Sequence, residues 1–271
     1  MRLLFLGDIV GRPGREAVFK HLPMLKDRLD PDFIVINGEN AAAGFGITRK
    51  ICDEIFDAGA DVITTGNHVW DQKEALGFID DEPRLLRPLN YPPGTPGKGV
   101  GLFEGRNGHQ VLVINAIGQL FMNMTSEPWA PVEEELANAP LKQVADAIIV
   151  DFHAEATSEK MSMGHFVDGK ASFCVGTHTH VPTADTMILP GGTAYQTDAG
   201  ACAVYDSVIG MDKAEPVQRF ISKVNQARLF PAEGEATVCG THVEVSSETG
   251  LASRVEPVRV GGLLTPHIPE V

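Results

Sequence analysis

Five places in this chain put oxygen or imidazole donors directly after an apolar run. They are Asp8, the pair Glu39-Asn40, the pair Asn67-His68, His153, and His178 with His180. Carboxylates, amide oxygens and imidazoles without a thiolate suit Mn, Fe or Zn. Each place has an ordinary structural explanation. Asp8 could cap a helix, Glu39-Asn40 could be a turn, and His153 could be a satisfied core histidine. Gly66-Asn67-His68-Val69-Trp70-Asp71 could be a turn whose Asn adopts a left-handed conformation. Four such explanations in one chain are less economical than one shared site. Even with His68 left aside, seven donors exceed what one tetrahedral ion takes, so two ions are the natural reading, roughly 3.5–4 Å apart and bridged by a carboxylate. His178 and His180 alternate with Thr177 and Thr179, and an extended strand would turn both imidazoles the same way.

The elements that must carry these donors follow from hydrophobic patterning. Strands are expected at Arg2 to Leu6, Asp32 to Asn37, Asp61 to Thr65, Gln110 to Asn115, Ala147 to Phe152 and Ser172 to Val175. Arg15 to Leu29 reads as a helix that Pro23 could kink. Thr48 caps a helix through Ala58. Asp71 and Glu74 have the spacing of a capping box for a further helix. Asp80 to Gly101 reads as irregular. Helices are expected at Pro131 to Ala145, Thr157 to Met163 and Asp212 to Ala227. Thr186 to Thr197 reads as a hairpin about Gly191-Gly192, and Ala236 to Val245 with Leu251 to Val260 as antiparallel strands. The order predicts a single α/β domain over residues 1–271, a layered sandwich of mixed β-sheets flanked by helices. In such sheets ligands bind at the carboxyl ends of strands, where all five donor groups fall.

The net charge is −14. That argues against a phosphate-backbone clamp and stable duplex nucleic-acid binding. It leaves room for a small anion, because bound metal ions invert the local field. Cys52, Cys174, Cys202 and Cys239 form no C-x-x-C and suit a reduced protein. No run reaches the roughly 18 apolar residues of a membrane span. The start lacks a signal h-region, so a cytoplasmic location and no membrane partner are expected. Gly7-Asp8-Ile9-Val10-Gly11 lacks the spacing of a dinucleotide loop, and no G-x-S-x-G supports a serine hydrolase. Self-association into a homo-oligomer is left open.

Gly7-Asp8, Gly38-Glu39-Asn40, Gly66-Asn67-His68, His153 and Gly176-Thr177-His178-Thr179-His180 resemble the ordered motifs of calcineurin-like metallophosphoesterases. The narrower resemblance is to the YmdB-type branch. It spans essentially the whole chain, including Asp151-Phe152-His153-Ala154-Glu155-Ala156-Thr157-Ser158-Glu159-Lys160. Two departures from the broad superfamily, Val10 for a histidine and Glu39 for an aspartate, fit that branch.

The resemblance implies a phosphodiesterase acting on 2′,3′-cyclic nucleotides through two divalent or mixed-valence ions, iron and/or manganese, with zinc as a further candidate. It implies metal ligation by Asp8, Glu39, Asn40 and His180 at one ion. Glu39, Asn67, His153 and His178 would hold the other. Metal-bound hydroxide would attack phosphorus, and His68 would act on the phosphoryl or leaving oxygen. Phe45 could stack on a base, and Lys160 and Arg12 could meet phosphate. Glu155, Ser158 and Asp198 could orient histidines. The competing reading is a regulatory nucleotide- or partner-binding protein that retains a metal site.

Overall fold

The first strand, β1 (Arg2–Leu6), is buried from Leu3 to Leu6, so both its faces must be covered. The computed structural model, which describes residues 1–122 and 126–271, covers them with a second sheet on one side and helices on the other. The first sheet runs β12 (Ala252–Val260), β11 (Val238–Val245), β1, β2 (Phe33–Asn37), β3 (Val62–Thr64) and β4 (Leu85–Leu86). The second runs β5 (Val100–Glu104), β6 (Gln110–Ile117), β7 (Ala147–His153), β8 (Phe173–Thr177), β10 (Ala194–Gln196) and β9 (Met187–Ile188). Strands β1 to β4 are parallel, as are β6, β7, β8 and β10; β5, β9, β11 and β12 pair antiparallel.

Strand alternation sorts the apolar residues into layers. Leu3, Phe5, Phe33 and Val35 meet Val113, Ile149, Phe173 and Val175 between the sheets. Phe5 and Phe173 touch edge-to-face at 6.2 Å. Leu4, Leu6, Ile34 and Ile36 face α1 (Gly11–Leu29) and α2 (Arg49–Ala58). Ile148 and Val150 face α3 (Trp129–Asn138) and α4 (Thr157–Phe166). The layered α/β sandwich expected from the element order is therefore present. A fifth helix, α5 (Ala214–Ser222), buries only Pro216.

Several local expectations are corrected. Helix α1 starts at Gly11 and runs on through Pro23. The capping box does not form. Asp71 Oδ2 sits 2.8 Å from His68 Nδ1, Glu74 accepts the Arg49 N–H, and a short 3-10 turn spans Lys73–Gly77. Helix α3 ends before Pro140, and its first amides, Trp129 and Ala130, donate to the Glu127 carboxylate. The Pro-rich stretch holds the two-residue β4. Helix α5 stops at Ser222 because Lys223 turns left-handed, φ 58°. Among the described residues no helix is long and apolar enough to cross a membrane. The four cysteines are buried and not disulfide-bonded.

His242 on β11 is fully buried, and neither ring nitrogen has a hydrogen-bond partner. Burial pushes its pKa down to about 4 from the ordinary 6.5. The unfolded chain therefore takes a proton that the folded chain refuses. Stability from this group is complete above pH 6.5 and falls as pH drops toward 4, by up to roughly 3 kcal/mol. His242→Leu should flatten that loss. Melting temperatures from pH 7 to pH 4.5 check it: equal slopes for variant and wild type would show that His242 does not carry the acid sensitivity.

Candidate metal centre

The carboxyl ends of β1, β2 and β3 in one sheet meet those of β7 and β8 in the other. All the sequence-expected donors converge there. Asp8 follows β1, Glu39-Asn40 follows β2, Asn67 follows β3, His153 ends β7, and His178 and His180 follow β8. The first sheet supplies every carboxylate and amide oxygen, and the second supplies every imidazole. Asn67 Oδ1 lies 3.0 Å from His153 Nε2, Glu39 Oε1 lies 3.5 Å from it, and His178 Nδ1 lies 3.2 Å from it. Asp8 Oδ1 is 3.8 Å from both His180 Nε2 and His153 Nδ1. Close approach of the sheet ends needs Gly66, where a Cβ would come within 2.2 Å of the His153 ring.

The surroundings set the tautomers. Asp151 Oδ1 accepts the Thr177 hydroxyl at 2.7 Å, so Thr177 Oγ1 accepts from His153 Nδ1 at 2.9 Å. His153 Nε2 is thereby left as a lone pair. Glu155 Oε2, 3.1 Å from His178 Nε2, holds the proton there and leaves His178 Nδ1 bare. His180 Nδ1 donates to the Ile209 carbonyl at 2.8 Å, leaving its Nε2 bare. Burial holds the pKa of His153 well below 6.5 and that of His178 down to about 4, so both rings are neutral. Neutral imidazoles with their second nitrogen anchored are the form that ligates metal.

The oxygens complete the pattern. Asp8 Oδ1, Glu39 Oε2 and Asn40 Oδ1 are buried with no hydrogen-bond partner. The other atom of each group is engaged: His178 N–H donates to Asp8 Oδ2, His68 N–H to Glu39 Oε1, and Asn40 Nδ2 to the Gly44 carbonyl. Burial raises the pKa of both carboxyls, Glu39 well above its usual range. Buried acceptors facing one another, with no donor among them, are costly unless a cation lies between them. The residues therefore fit a metal. Among the described residues no three His, Cys, Asp or Glu side chains form a finished ion cage. The donors meet pairwise, and two amide oxygens, from Asn40 and Asn67, belong to the set.

The histidine loop differs from the extended strand expected. Strand β8 ends at Thr177, and His178 and His180 take left-handed conformations, φ 89° and 67°. Such backbone costs about 1–3 kcal/mol per residue and persists only where its surroundings enforce it. Asp198 enforces it here: its Oδ2 accepts the Thr179 N–H and hydroxyl. Lys160 Nζ donates to Asp198 Oδ2 and Thr179 Oγ1, both at 2.8 Å. Lys160 is 1% exposed, so it is a buried anchor of this loop and not a surface contact for phosphate.

Other second-rank expectations divide. Glu155 and Asp198 do orient the histidine loop. Ser158 is exposed and its carbonyl accepts from Ser162. Arg12 is an exposed partner of Glu16. Phe45 packs edge-on against His68 at 5.1 Å. His68 is held on three sides, by Phe45, by Asp71 at Nδ1, and by its own amide on Glu39. Nε2 is the ring atom left to meet a substrate. Reasoning from sequence missed Asp151, whose pKa burial raises to about 7 while Thr64, Thr177 and Asn37 hydrogen-bond it. A charged residue two positions before His153 in an otherwise apolar strand was the available signal.

Two packed mixed sheets, flanked by helices and carrying their donors at the carboxyl ends of parallel strands, define a metallophosphoesterase-type sandwich. Residues 4–258 match the profile of the YmdB-like protein family, and the chain belongs to that family. It is 46% identical over 260 residues to a Bacillus subtilis protein named 2′,3′-cyclic-nucleotide 2′-phosphodiesterase, covering 96% of this chain and 97% of that one. A crystal structure of a hypothetical protein from Thermus thermophilus superposes with TM-score 0.89 at 40% identity, covering 97% of this chain and 100% of the other. A structure described as a novel phosphatase from Mycoplasma pneumoniae also gives TM-score 0.89, at 33% identity, covering 96% and 93%.

Proposed function

We propose that this chain is a metal-dependent phosphodiesterase that opens 2′,3′-cyclic nucleotides with two cations, iron and/or manganese. The observation that carries the reading is the set of partnerless buried oxygens on Asp8, Glu39 and Asn40, of which Asp8 Oδ1 lies 3.8 Å from the bare Nε2 of His180, in one cluster with the bare nitrogens of His153 and His178. The name of the Bacillus subtilis relative supports the substrate class. One cation is assigned to Asp8, Glu39, Asn40 and His180, the other to Glu39, Asn67, His153 and His178. Glu39 is shared, because one of its oxygens faces His153 and the other is partnerless.

When bound, the cations supply Lewis acidity that polarises the phosphoryl group and acidifies water. The chain does the rest. Asp151 and Thr177 fix the proton of His153 on Nδ1, and Glu155 fixes that of His178 on Nε2. Asp71 steadies His68, which from Nε2 stabilises the phosphoryl oxygens or hands a proton to the leaving ribose oxygen. The substrate is a small phosphodiester, in keeping with the net charge of −14. Four buried thiols without a bridge suit a reducing compartment such as the cytoplasm.

Protein purified without chelator should carry about two ions per chain. It should hydrolyse 2′,3′-cyclic AMP, lose that activity to a chelator, and regain it with Mn or Fe. Absence of both metal and turnover after reconstitution would sink the reading. Metal without turnover would leave a metal-dependent binding protein in its place.

A further inference from the structure

Beside the donor cluster lies an apolar depression of about 410 Å³, between the loop carrying Ile209 and helix α5. Ile209, Met211, Phe220 and Leu229 form its apolar wall, and Lys223 and Asn225 its polar edge. Ile209 joins it to the centre. Its carbonyl accepts from His180 Nδ1, while its side chain lines the depression and stays exposed. Its φ is 49°, an outlier for a β-branched residue. That strained turn presents one face of the residue to His180 and the other to the depression. Met211 and Leu229 continue the wall to Phe45, which packs on His68. Ile209 thus ties the depression to His180, and Met211 and Leu229 tie it to the apolar cluster that includes Phe45.

Its chemistry suits a planar heterocycle. Phe220 is 74% exposed and offers an aromatic face, with Lys223 Nζ 5.7 Å from the ring centroid. Asn225 brings both a donor and an acceptor, as an amide does. In a 2′,3′-cyclic nucleotide one ribose ring separates base from phosphorus. A base site must therefore adjoin the phosphoryl site without overlapping it, and Ile209 links this depression to His180 of the donor set. The larger neighbouring hollow also has apolar residues, Leu229 and Phe230, but it carries the carboxylates of Asp206, Asp212, Glu215 and Glu233, which repel an anionic nucleotide.

We propose that this depression is the nucleobase subsite, with Phe220 stacking on the base. The proposal rests on the cyclic-nucleotide reading given above. It makes α5 the element that tells a nucleotide from a bare sugar cyclic phosphate.

The test compares metal-loaded wild type, Phe220→Ala and Phe220→Trp on 2′,3′-cyclic AMP and on base-free 1-O-methylribose 2′,3′-cyclic phosphate. Molecular mass is followed by light scattering. Phe220→Ala should raise KM for 2′,3′-cyclic AMP by roughly 5–150-fold, the worth of one base–aromatic stack, with kcat held. The KM shift should be confined to the base-bearing compound, and Phe220→Trp should restore it. Equal shifts for both compounds, or no shift for either, would overturn the base subsite. A fall in mass without that split would assign the face to a second copy of the chain and overturn it too. Wild-type turnover of the base-free compound keeps the phosphodiesterase reading standing in those cases. Wild type inert on both compounds would strike down both readings together.

Discussion

Glu39→Gln is expected to empty the centre of metal and reduce turnover to background. The reason lies in which oxygen is occupied. Glu39 Oε1 accepts the His68 N–H, so the glutamine must keep its oxygen there and place its NH₂ where Oε2 stands. Two N–H donors would then point at the space assigned to cations. The carboxylate charge shared between two dications would be gone as well. The metal-free variant should nevertheless fold at least as stably as metal-free wild type, because a buried, partnerless carboxylate is costly. The discriminating measurement is the melting temperature with and without Mn. At 1,000 times Kd, ligand linkage stabilises wild type by about 4 kcal/mol, roughly 10 °C for a chain of this length. The variant should show almost none of that shift. A variant that keeps both the shift and the activity would make Glu39 a turn residue.

His68→Ala should separate chemistry from metal binding. The ring of His68 touches Phe45 and Asp71, while its contact with the donor set is made by its main-chain N–H, which alanine retains. Metal content should be unchanged. The catalytic rate should fall by roughly 10²–10⁴-fold, the usual worth of a general acid or electrostatic stabiliser. A nitrophenolate leaving group needs little protonation, so its ester should lose least if His68 is the acid. Equal losses for good and poor leaving groups would assign His68 to the phosphoryl oxygens. Asp71→Asn should give a smaller loss in the same direction, since it weakens the hold on Nδ1 and keeps the ring. Loss of metal in His68→Ala would make His68 a ligand and overturn the assignment. An unchanged rate would leave His68 a turn histidine with no part in the chemistry.

The layers and the donor set were legible in the sequence for one physical reason. Buried parallel strands read as continuous apolar runs, and a donor directly after such a run can only sit at the sheet edge. Asp8, Glu39, Asn67, His153 and His180 all announced themselves that way. What escaped was whatever depends on which partner a polar side chain chooses in space. Asp71 and Glu74 have capping-box spacing, yet one takes an imidazole and the other a distant amide. Lys160 looked like a solvent-facing cation because its partner, Asp198, is far along the chain and both ends are buried. The left-handed turns at His178 and His180 were hidden because Thr-His-Thr-His has perfect strand alternation. Alternation reports a preference of the local chain, and the Asp198 anchor overrides it.

The oxygens of this centre come from one sheet and the imidazoles from the other. On the ligand assignment proposed above, each cation would draw oxygens from one sheet and an imidazole from the other, and so would span the seam of the sandwich. The centre would then act as a rivet as well as a reagent, clamping the two sheets at the carboxyl ends of their parallel strands. Prying the sheets apart there would release the ions, so separation of the sheets and retention of the metal would be a single equilibrium.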